Sequence, residues 1–328
     1  MNRAILHVCA PDFIIAVERL KNPSLSGKSV IVSEGERGAV VACSGESLPF
    51  GVFPSMPAAE ARKLAPHAIF VPCDMESYAC YSRRLTRVLG DAVPVLERAS
   101  THEFYADLSE IGGFGECWKW ACELRRKVIR ETGLPVSTGL STSKFVSAVA
   151  AAHAGPDGEK CIRPGAEKLF LAPLSLQKVP LGDEKSRQLL RQRGILTMGQ
   201  LAEIPPGTLQ RLLGKAGIPV WQKANGICHS AVIPYNDPAS FSSEVAFSRS
   251  CHSATRLLSL LGSMSDKLSY SLRRKGMAAT SVTVKIRYPD FSTSTRQVSL
   301  PPATTAKTLT SRAQDLFQLL YDQSRGVR

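Results

Sequence analysis

Residues 134–154, LPVSTGLSTSKFVSAVAAAHA, contain the strand and the helix that complete the first domain of this chain. LPVSTGL has the composition of a short buried strand, and TSKFVSAVAAAHA is typical of a helix with a small polar residue before its first turn. The elements that precede this pair are, in order, a strand over 4–9, a helix over 74–90, strands over 93–99 and 103–109, and an amphipathic helix over 116–132. This β–α–β–β–α–β-like order predicts a ferredoxin-like sheet with helices on one face.

Two further regions flank that sheet in the sequence. SVIVS (29–33) and GAVVAC (38–43) are β-branched runs separated by a Gly-containing turn, which predicts two strands. Residues 167–226 form a series of short helices in which PLGD and PPGTLQRLLGKAG resemble degraded helix–hairpin–helix elements, a type of phosphate-binding turn. Asp183 ends the first hairpin and would repel a phosphate, so we expect that hairpin to bind DNA weakly.

The last quarter of the chain is the most basic. Residues 231–240 read as a linker, and 241–328 contain 13 Lys and Arg against 5 Asp and Glu. A strand-like SSEVAFS (242–248), a helix over 253–275, two alternating strands around PDFS and a helix over 306–321 are predicted there. Lys285 and Arg287 fall on one strand face by the two-residue period, and that face could follow phosphates unless it is only a solvated polar surface.

Composition excludes several classes of protein. The net charge of +13 favours an acidic polymer as partner, and a hydrophobic fraction of 44% indicates several globular domains in 328 residues. The nine cysteines form no CxxC pair, which argues against a disulfide framework or a zinc ribbon. We see no secretory signal and no apolar run of about 18 residues, so we expect a cytoplasmic protein without a membrane span.

Five blocks of sequence resemble one known family, the Y-family (translesion) DNA polymerases. The blocks are HVCAPDFIIAVE (7–18), GAVVACSGESLPFGVFPSMPAAEARKLAP (38–66), ERASTHEFYADLS (97–109), LPVSTGLSTSKFVSAVAAAHAGPDG (134–158) and KIRYPDFSTSTRQVSLP (285–301). They occur in the family's order along nearly the whole chain. Within that family, the chain is most similar to a catalytically degenerate ImuB-type or DNA polymerase IV-like accessory protein.

The resemblance implies an α+β multidomain fold shaped like a right hand, with a ferredoxin-like palm, small fingers, a helical thumb and an α/β little finger. The implied domains are the palm (1–10 and 74–165), the fingers (11–73), the thumb (166–232), a linker (233–240) and the little finger (241–328). The family usually continues with one more strand and a tail carrying a sliding-clamp motif, and this sequence reaches RGVR (325–328) before that strand.

The resemblance also implies a palm site in which carboxylates bind two magnesium ions. At those three positions this chain has Cys9, His102 and Glu103, so one carboxylate remains. A thiol and an imidazole are poor ligands for magnesium. Asp12 could replace a lost ligand, but capping the helix that follows is its simpler role. Asp107 shares a strand face with Glu103, and we interpret it as structural.

The implied nucleotide pocket is also degraded. The family's Tyr and Arg over the triphosphate correspond to Gly45 and Leu48, its triphosphate lysine to Gly155, and the aromatic residue that excludes ribonucleotides to Ile14. The basic residues remain. Those that we predict to contact DNA are Lys144, Arg273, Arg274, Lys275, Lys285, Arg287 and Arg296.

These losses predict a non-catalytic scaffold that binds primer–template or damaged DNA in translesion synthesis, DNA repair and the mutagenic SOS response. Its expected partners are DNA, a sliding clamp and a separate replicative-type polymerase, at the bacterial nucleoid, without a cofactor. The alternative is an active low-fidelity DNA-directed DNA polymerase that uses magnesium, or manganese, in a non-standard site. A third hypothesis is a zinc site made by Cys9, His102 and Glu103, but neighbours on a strand point to opposite faces, which argues against chelation by His102 and Glu103.

Overall fold

The computed structural model describes residues 3–36, 38–235, 240–247 and 250–328. The chain forms two compact units, one that ends at Tyr235 and one formed by the residues after it. Most of the predicted linker, 236–239, lies outside the described residues. Among the helices described, none is long and apolar enough to cross a membrane.

The strands and helices follow the predicted order closely. The strands are β1 Ile5–Cys9, β2 Val30–Ser33, β3 Val40–Cys43, β4 Ile69–Pro72, β5 Val95–Arg98, β6 Glu103–Asp107, β7 Ser137–Ser141, β8 Glu159–Cys161, β9 Ala279–Arg287 and β10 Thr293–Ala303. The helices are α1 Phe13–Lys21, α2 Ala58–Leu64, α3 Met75–Gly90, α4 Phe114–Thr132, α5 Lys144–Ala154, α6 Glu167–Leu171, α7 Glu184–Gln192, α8 Met198–Glu203, α9 Pro206–Leu213, α10 Gly217–Ala224, α11 Ala254–Arg274 and α12 Ala306–Leu320. Strands β4 and β8 were not predicted.

The largest sheet has five strands in the order β5-β6-β1-β7-β8, with β1 in the centre. Strand β1 pairs antiparallel with β6 and β7. Its even-numbered residues, Leu6 and Val8, pack in the main core with Leu85 of α3 and Leu124 of α4. Burying these side chains contributes about 1.5–3 kcal/mol each, so α3 and α4 are held firmly against this face.

Helix α5 covers the opposite face of the same sheet. A Cβ added to Gly139 in β7 would overlap the carbonyl oxygen of Ser147 and lie 2.5 Å from the backbone N of Ala151, both in α5. Only glycine therefore lets α5 approach so closely. The prediction of helices on one face holds for α3 and α4 and was wrong for α5, because the Ala-rich pattern of α5 indicated a helix without indicating its side of the sheet.

A smaller sheet with the order β3-β2-β4 forms the predicted fingers. Val30 and Val32 of β2 join the main core, whereas Ile31 packs with Val40 and Met56 in a separate cluster. The alternation follows from the two-residue period of a strand. Helix α1 follows β1 in the chain and packs against β2, β3 and α3.

The predicted thumb consists of α6 to α10 around one apolar cluster that includes Leu190, Leu201 and Leu209, together with Phe145 and Val146 of α5. Asp183 precedes α7 and accepts a hydrogen bond from the Ser186 hydroxyl at 2.5 Å. That bond lowers the pKa of Asp183 below its ordinary value. The carboxylate is thus ionised in the first hairpin, as the weak phosphate binding predicted there requires.

The second unit packs α11 and α12 against one face of the β9–β10 hairpin, with a core that includes Val284, Ile286, Leu316 and Phe317. The predicted helices and strands form within three residues of their expected ends. The strand predicted from SSEVAFS does not form over 242–247, and residue 248 lies outside the described residues. Composition alone indicated that strand, and no neighbouring strand pairs with it among the described residues.

Candidate functional site

The face of the central sheet on which α5 packs carries the odd-numbered residues of β1. Cys9 is directly opposite Glu103 of β6 and Ser137 of β7, and His7 is opposite Tyr105 and Gly139. Directly opposed residues have their Cβ atoms about 4.5–5.5 Å apart on one face. The sheet register therefore brings Cys9 and Glu103 together, although they are 94 positions apart in the sequence.

His102 completes this cluster. The possible ligand atoms of Cys9, His102 and Glu103 all lie within 4.8 Å of one another, and the three residues are half-buried. Strand β6 begins at Glu103. His102 is thus in the bend before the strand, where the strand alternation does not apply. The prediction that His102 and Glu103 cannot face one ion was wrong for this reason.

The thiol of Cys9 is neutral at neutral pH in the metal-free protein. Burial, and then the charges of Glu103 and Asp12, raise the pKa of Cys9 to about 12. The neighbouring His7 is buried, and burial followed by His102 lowers its pKa to about 4. His7 Nδ1 has no hydrogen-bond partner among the described residues. Burial thus keeps the Cys9 thiol and the His7 imidazole neutral beside the Glu103 carboxylate.

This donor set does not fit two magnesium ions. Magnesium prefers oxygen ligands in octahedral geometry at about 2.0–2.1 Å, and two adjacent dications need several carboxylates to offset their repulsion. In the cluster, one residue of three offers a carboxylate, and the other two offer sulfur and nitrogen. The folded cluster therefore offers a single carboxylate to a metal ion.

The two neighbouring aspartates have different roles. Asp12 occupies the N-cap position of α1 with φ of 49° but makes no side-chain capping bond, so the capping role predicted for it was wrong. Asp107 Oδ1 accepts hydrogen bonds from the backbone N of Ser109 at 3.0 Å and from its hydroxyl at 2.5 Å. These bonds stabilise the turn after β6, in agreement with a structural role.

Lys144, predicted to contact DNA, is held at the edge of this face. Its Nζ lies 2.5 Å from Glu97 Oε1, and each side chain is 16% exposed. It also lies 4.7 Å from the centre of the Tyr105 ring. The other oxygen of Glu97 accepts a hydrogen bond from Ile233 N at 2.7 Å. Neither Glu97 nor this ion pair was found from the sequence, because the two residues are 47 positions apart.

The four predicted nucleotide-pocket positions lie in a turn after β3, in α1 and at the end of α5. Gly45 and Leu48 lie in a 3₁₀ turn after β3, where Leu48 is 58% exposed. Ile14 is half-buried in the first turn of α1, directly after β1. Gly155 ends α5, and its carbonyl accepts a hydrogen bond at 2.6 Å from Ser137, the residue opposite Cys9. Gly155 therefore lies beside the cluster with no side chain to offer.

The remaining predicted DNA contacts lie in the second unit. Lys285 and Arg287 are exposed on one face of the hairpin, opposite Thr295 and Thr293. Arg296 is opposite the buried Val284 and therefore belongs to the other face. The last three residues of this set lie at the C-terminal end of α11, where the helix dipole stabilises positive charge. They are Arg273, Arg274 and Lys275.

Comparison with known proteins shows the family to which this chain belongs. The impB/mucB/samB family profile matches residues 9–152, and the profile of its C-terminal domain matches 238–328. DNA polymerase IV of Methanoculleus marisnigri is 33% identical over 332 residues, covering 100% of this chain and 92% of that protein. DNA polymerase IV of Streptomyces coelicolor is 34% identical over 330 residues, covering 99% of this chain and 69% of that protein. The chain belongs to the Y family of DNA polymerases.

Solved Y-family structures share its fold. A Dbh–Dpo4 chimera superimposes with a TM-score of 0.78 at 22% identity, covering 99% of this chain and 96% of the other. DinB from Sulfolobus solfataricus superimposes with a TM-score of 0.69 at 22% identity, covering 99% of this chain and 96% of the other. The predicted right-hand architecture is confirmed. The finer resemblance to ImuB-type accessory proteins has no support from these relatives, which carry the name DNA polymerase IV.

Proposed function

We propose that this Y-family chain acts in translesion synthesis by binding primer–template DNA through its basic second unit. On the geometry of the palm, it does not itself carry out two-magnesium DNA synthesis. The observation that supports this is the Cys9, His102 and Glu103 cluster, which offers one carboxylate where two magnesium ions would need several. In this proposal the chain organises a damage-tolerance complex with a separate polymerase and a sliding clamp, at the nucleoid in the cytoplasm.

The surface of the β9–β10 hairpin supports DNA binding. Its exposed face presents Lys285 and Arg287 among hydroxyl and amide side chains, with Thr283 opposite Gln297 in the next row. Long cations can neutralise phosphates, and short polar side chains can donate hydrogen bonds to phosphate and sugar oxygens. Such contacts carry no sequence information, which suits a protein that acts on many templates.

A second candidate is an active low-fidelity DNA polymerase that uses a non-standard metal site. The comparisons favour this candidate over the first, because relatives named DNA polymerase IV match the whole chain at 33–34% identity. It requires the cluster to bind magnesium or manganese with a ligand set other than the family's carboxylates. Because Ile14 replaces the aromatic residue expected there, we expect such an enzyme to incorporate ribonucleotides readily.

Primer extension separates the two candidates. The full chain is incubated with a labelled primer–template, all four nucleotides and either Mg²⁺ or Mn²⁺. Extension that disappears in Glu103→Gln would establish the second candidate and refute the first. Absence of extension in both metals, with DNA binding intact, supports the scaffold. The Glu103→Gln variant also controls for a contaminating polymerase, whose activity would not change.

DNA binding is tested by the salt dependence of affinity. We expect Lys285→Ala with Arg287→Ala to weaken binding and to reduce the slope of log affinity against log salt by about 2. Lys307→Ala with Arg312→Ala removes the same charge from exposed positions on α12 and serves as the matched control. Equal effects of both double variants would show that net charge, rather than the hairpin face, determines binding. Affinity that does not respond to salt would refute the proposal.

A further inference from the structure

The Cys9, His102 and Glu103 cluster has the ligand types of a transition-metal site. We propose that these three side chains bind one zinc ion, or a divalent ion of similar softness, through Sγ, an imidazole nitrogen and a carboxylate oxygen. Among the residues described, this is the group of cysteine, histidine and carboxylate side chains that converges closely enough to hold a metal. The proposal concerns metal binding and does not depend on whether the chain synthesises DNA.

The backbone positions two of the ligands before any metal arrives. Cys9 and Glu103 are directly opposite in the β1–β6 pair. The carbonyl of His102 accepts a hydrogen bond from Ala10 N at 3.0 Å, which continues the pairing one residue beyond the strand. Cys9 and Glu103 are therefore attached to the ends of two adjacent strands of the five-stranded sheet, and His102 is attached to the residue before β6. Rigid attachment lowers the entropy that a binding site loses when it orders its ligands.

The imidazole of His102 is oriented by two neighbours. Its ring is stacked on Phe13, with ring centres 5.9 Å apart and planes 11° from parallel. Its Nδ1 lies 3.2 Å from the hydroxyl of Thr101. A hydrogen bond from Nδ1 to that hydroxyl leaves the Nε2 lone pair for a metal, which is the usual arrangement of metal-binding histidines.

The other two ligands are available. Within the part of the chain that the structure describes, neither the Cys9 thiol nor the Glu103 carboxylate makes a side-chain hydrogen bond or ion pair. Two carboxylates, Glu103 and Asp12, lie close enough to interact electrostatically with Cys9. A bound dication would be attracted by both. It would also displace the thiol proton, since a coordinating thiol is deprotonated by the metal.

The chemistry of the donors selects zinc over magnesium. Thiolate, imidazole and carboxylate are all zinc ligands, with bonds of about 2.0–2.3 Å. Tetrahedral bonds of that length place ligand atoms about 3.4–3.6 Å from one another. The observed limit of 4.8 Å is wider. Side-chain rotations that bring the ligand atoms about 1 Å closer to one another would close the site. Three protein ligands leave a fourth position open for water or another donor.

Zinc binding is measured on the full chain. The protein is purified without chelator and then stripped of metal. It is titrated with zinc sulfate in competition with a chromogenic chelator. We expect one tightly bound zinc per chain. Cobalt(II) in place of zinc should give the near-ultraviolet charge-transfer band of a cobalt–thiolate bond. Removing a ligand should weaken binding at least about tenfold, because changes to second-shell groups alone cost 10–100-fold.

The variants identify the ligands. We expect Cys9→Ser to abolish the cobalt–thiolate band and weaken zinc binding, and His102→Ala and Glu103→Gln to weaken zinc binding with the fold retained by circular dichroism. Cys80→Ser removes an exposed thiol on α3 and should change neither measurement. Binding that is absent from the parent chain, or unchanged in both Cys9→Ser and His102→Ala, would overturn the proposal. If Cys9→Ser does not fold, His102→Ala and Glu103→Gln decide the question.

The readouts distinguish this proposal from the proposed function. Zinc loading is measured without DNA, and the salt-dependent DNA affinity is measured in chelator. A chain that binds zinc but not DNA retains this inference and loses the proposed function. A chain that binds DNA but no zinc does the reverse.

Discussion

The ion pair between Lys144 and Glu97 gives a quantitative prediction. We consider Lys144→Met, which keeps an unbranched side chain and removes the charge. Breaking a buried ion pair costs about 3–5 kcal/mol, because one charge stays buried without its partner. Each side chain is 16% exposed, and Glu97 keeps its hydrogen bond from Ile233 N. Both features reduce the cost, so we expect the free energy of unfolding to fall by about 2–3 kcal/mol.

Urea unfolding followed by tryptophan fluorescence measures this loss. The three tryptophans, Trp118, Trp120 and Trp221, all lie in the first unit, so the signal reports the unit that contains the ion pair. Glu97→Gln keeps an acceptor for Ile233 N and removes the carboxylate charge. The double variant should recover part of the loss, with a coupling energy of about 1–2 kcal/mol.

The same experiment tests whether Lys144 contacts DNA. If Lys144 serves mainly to neutralise Glu97, Lys144→Met reduces stability and changes DNA affinity little. A stability change below about 0.5 kcal/mol, together with a clear loss of DNA affinity and a smaller salt slope, would refute the structural role. It would show that the lysine leaves Glu97 to bind phosphate.

Three further predictions concern packing, pH and metal. Gly139→Ala should destabilise the first unit by about 3 kcal/mol in thermal or urea unfolding, because the added Cβ would overlap α5. Gly182→Ala is the control: its Cβ would meet nothing within 4 Å, so stability should change by less than about 0.5 kcal/mol. Asp74 caps α3 and pairs with Lys21, which lowers its pKa below the ordinary 3.8; its stabilisation is therefore present above that pH and lost as the pH falls, and Asp74→Asn should flatten the fall of the urea midpoint in acid. Replacing Cys9 and His102 together by Asp should create magnesium binding detectable by calorimetry that the parent chain lacks, and no gain would contradict our interpretation of the donor set.

Much of the local structure could be predicted from the sequence. The alternating pattern of β9 and β10 and the amphipathic pattern of α4 lie within the elements themselves, so they were predicted within a few residues. Strand β4 (IFVP) was missed because it is four residues long and ends in a proline, and β8 was missed because it has only three residues. The strand predicted from SSEVAFS failed because a strand requires a partner as well as a composition.

The candidate site was predicted in part. Cys9, His102 and Glu103 were found because their neighbours resemble family motifs, and the structure brings them together. The objection to joint chelation depended on the residue at which β6 begins, and hydrogen bonding in the folded sheet decides that point. Glu97 was not found because its significance comes from Lys144, a contact between distant residues.

The identity of the chemical groups can be read from the amino-acid sequence. A thiol and an imidazole stand at positions where the family has magnesium ligands, and cations are concentrated in the last quarter of the chain, because charge and ligand type are properties of single residues. Which of these groups meet depends on the folded chain. The register of β1 with β6 placed Cys9 opposite Glu103, the bend before β6 turned His102 towards them, and the close approach of α5 over Gly139 accompanies the burial of Lys144 against Glu97. These outcomes depend on hydrogen bonding and packing between segments far apart in the chain, which no local pattern contains.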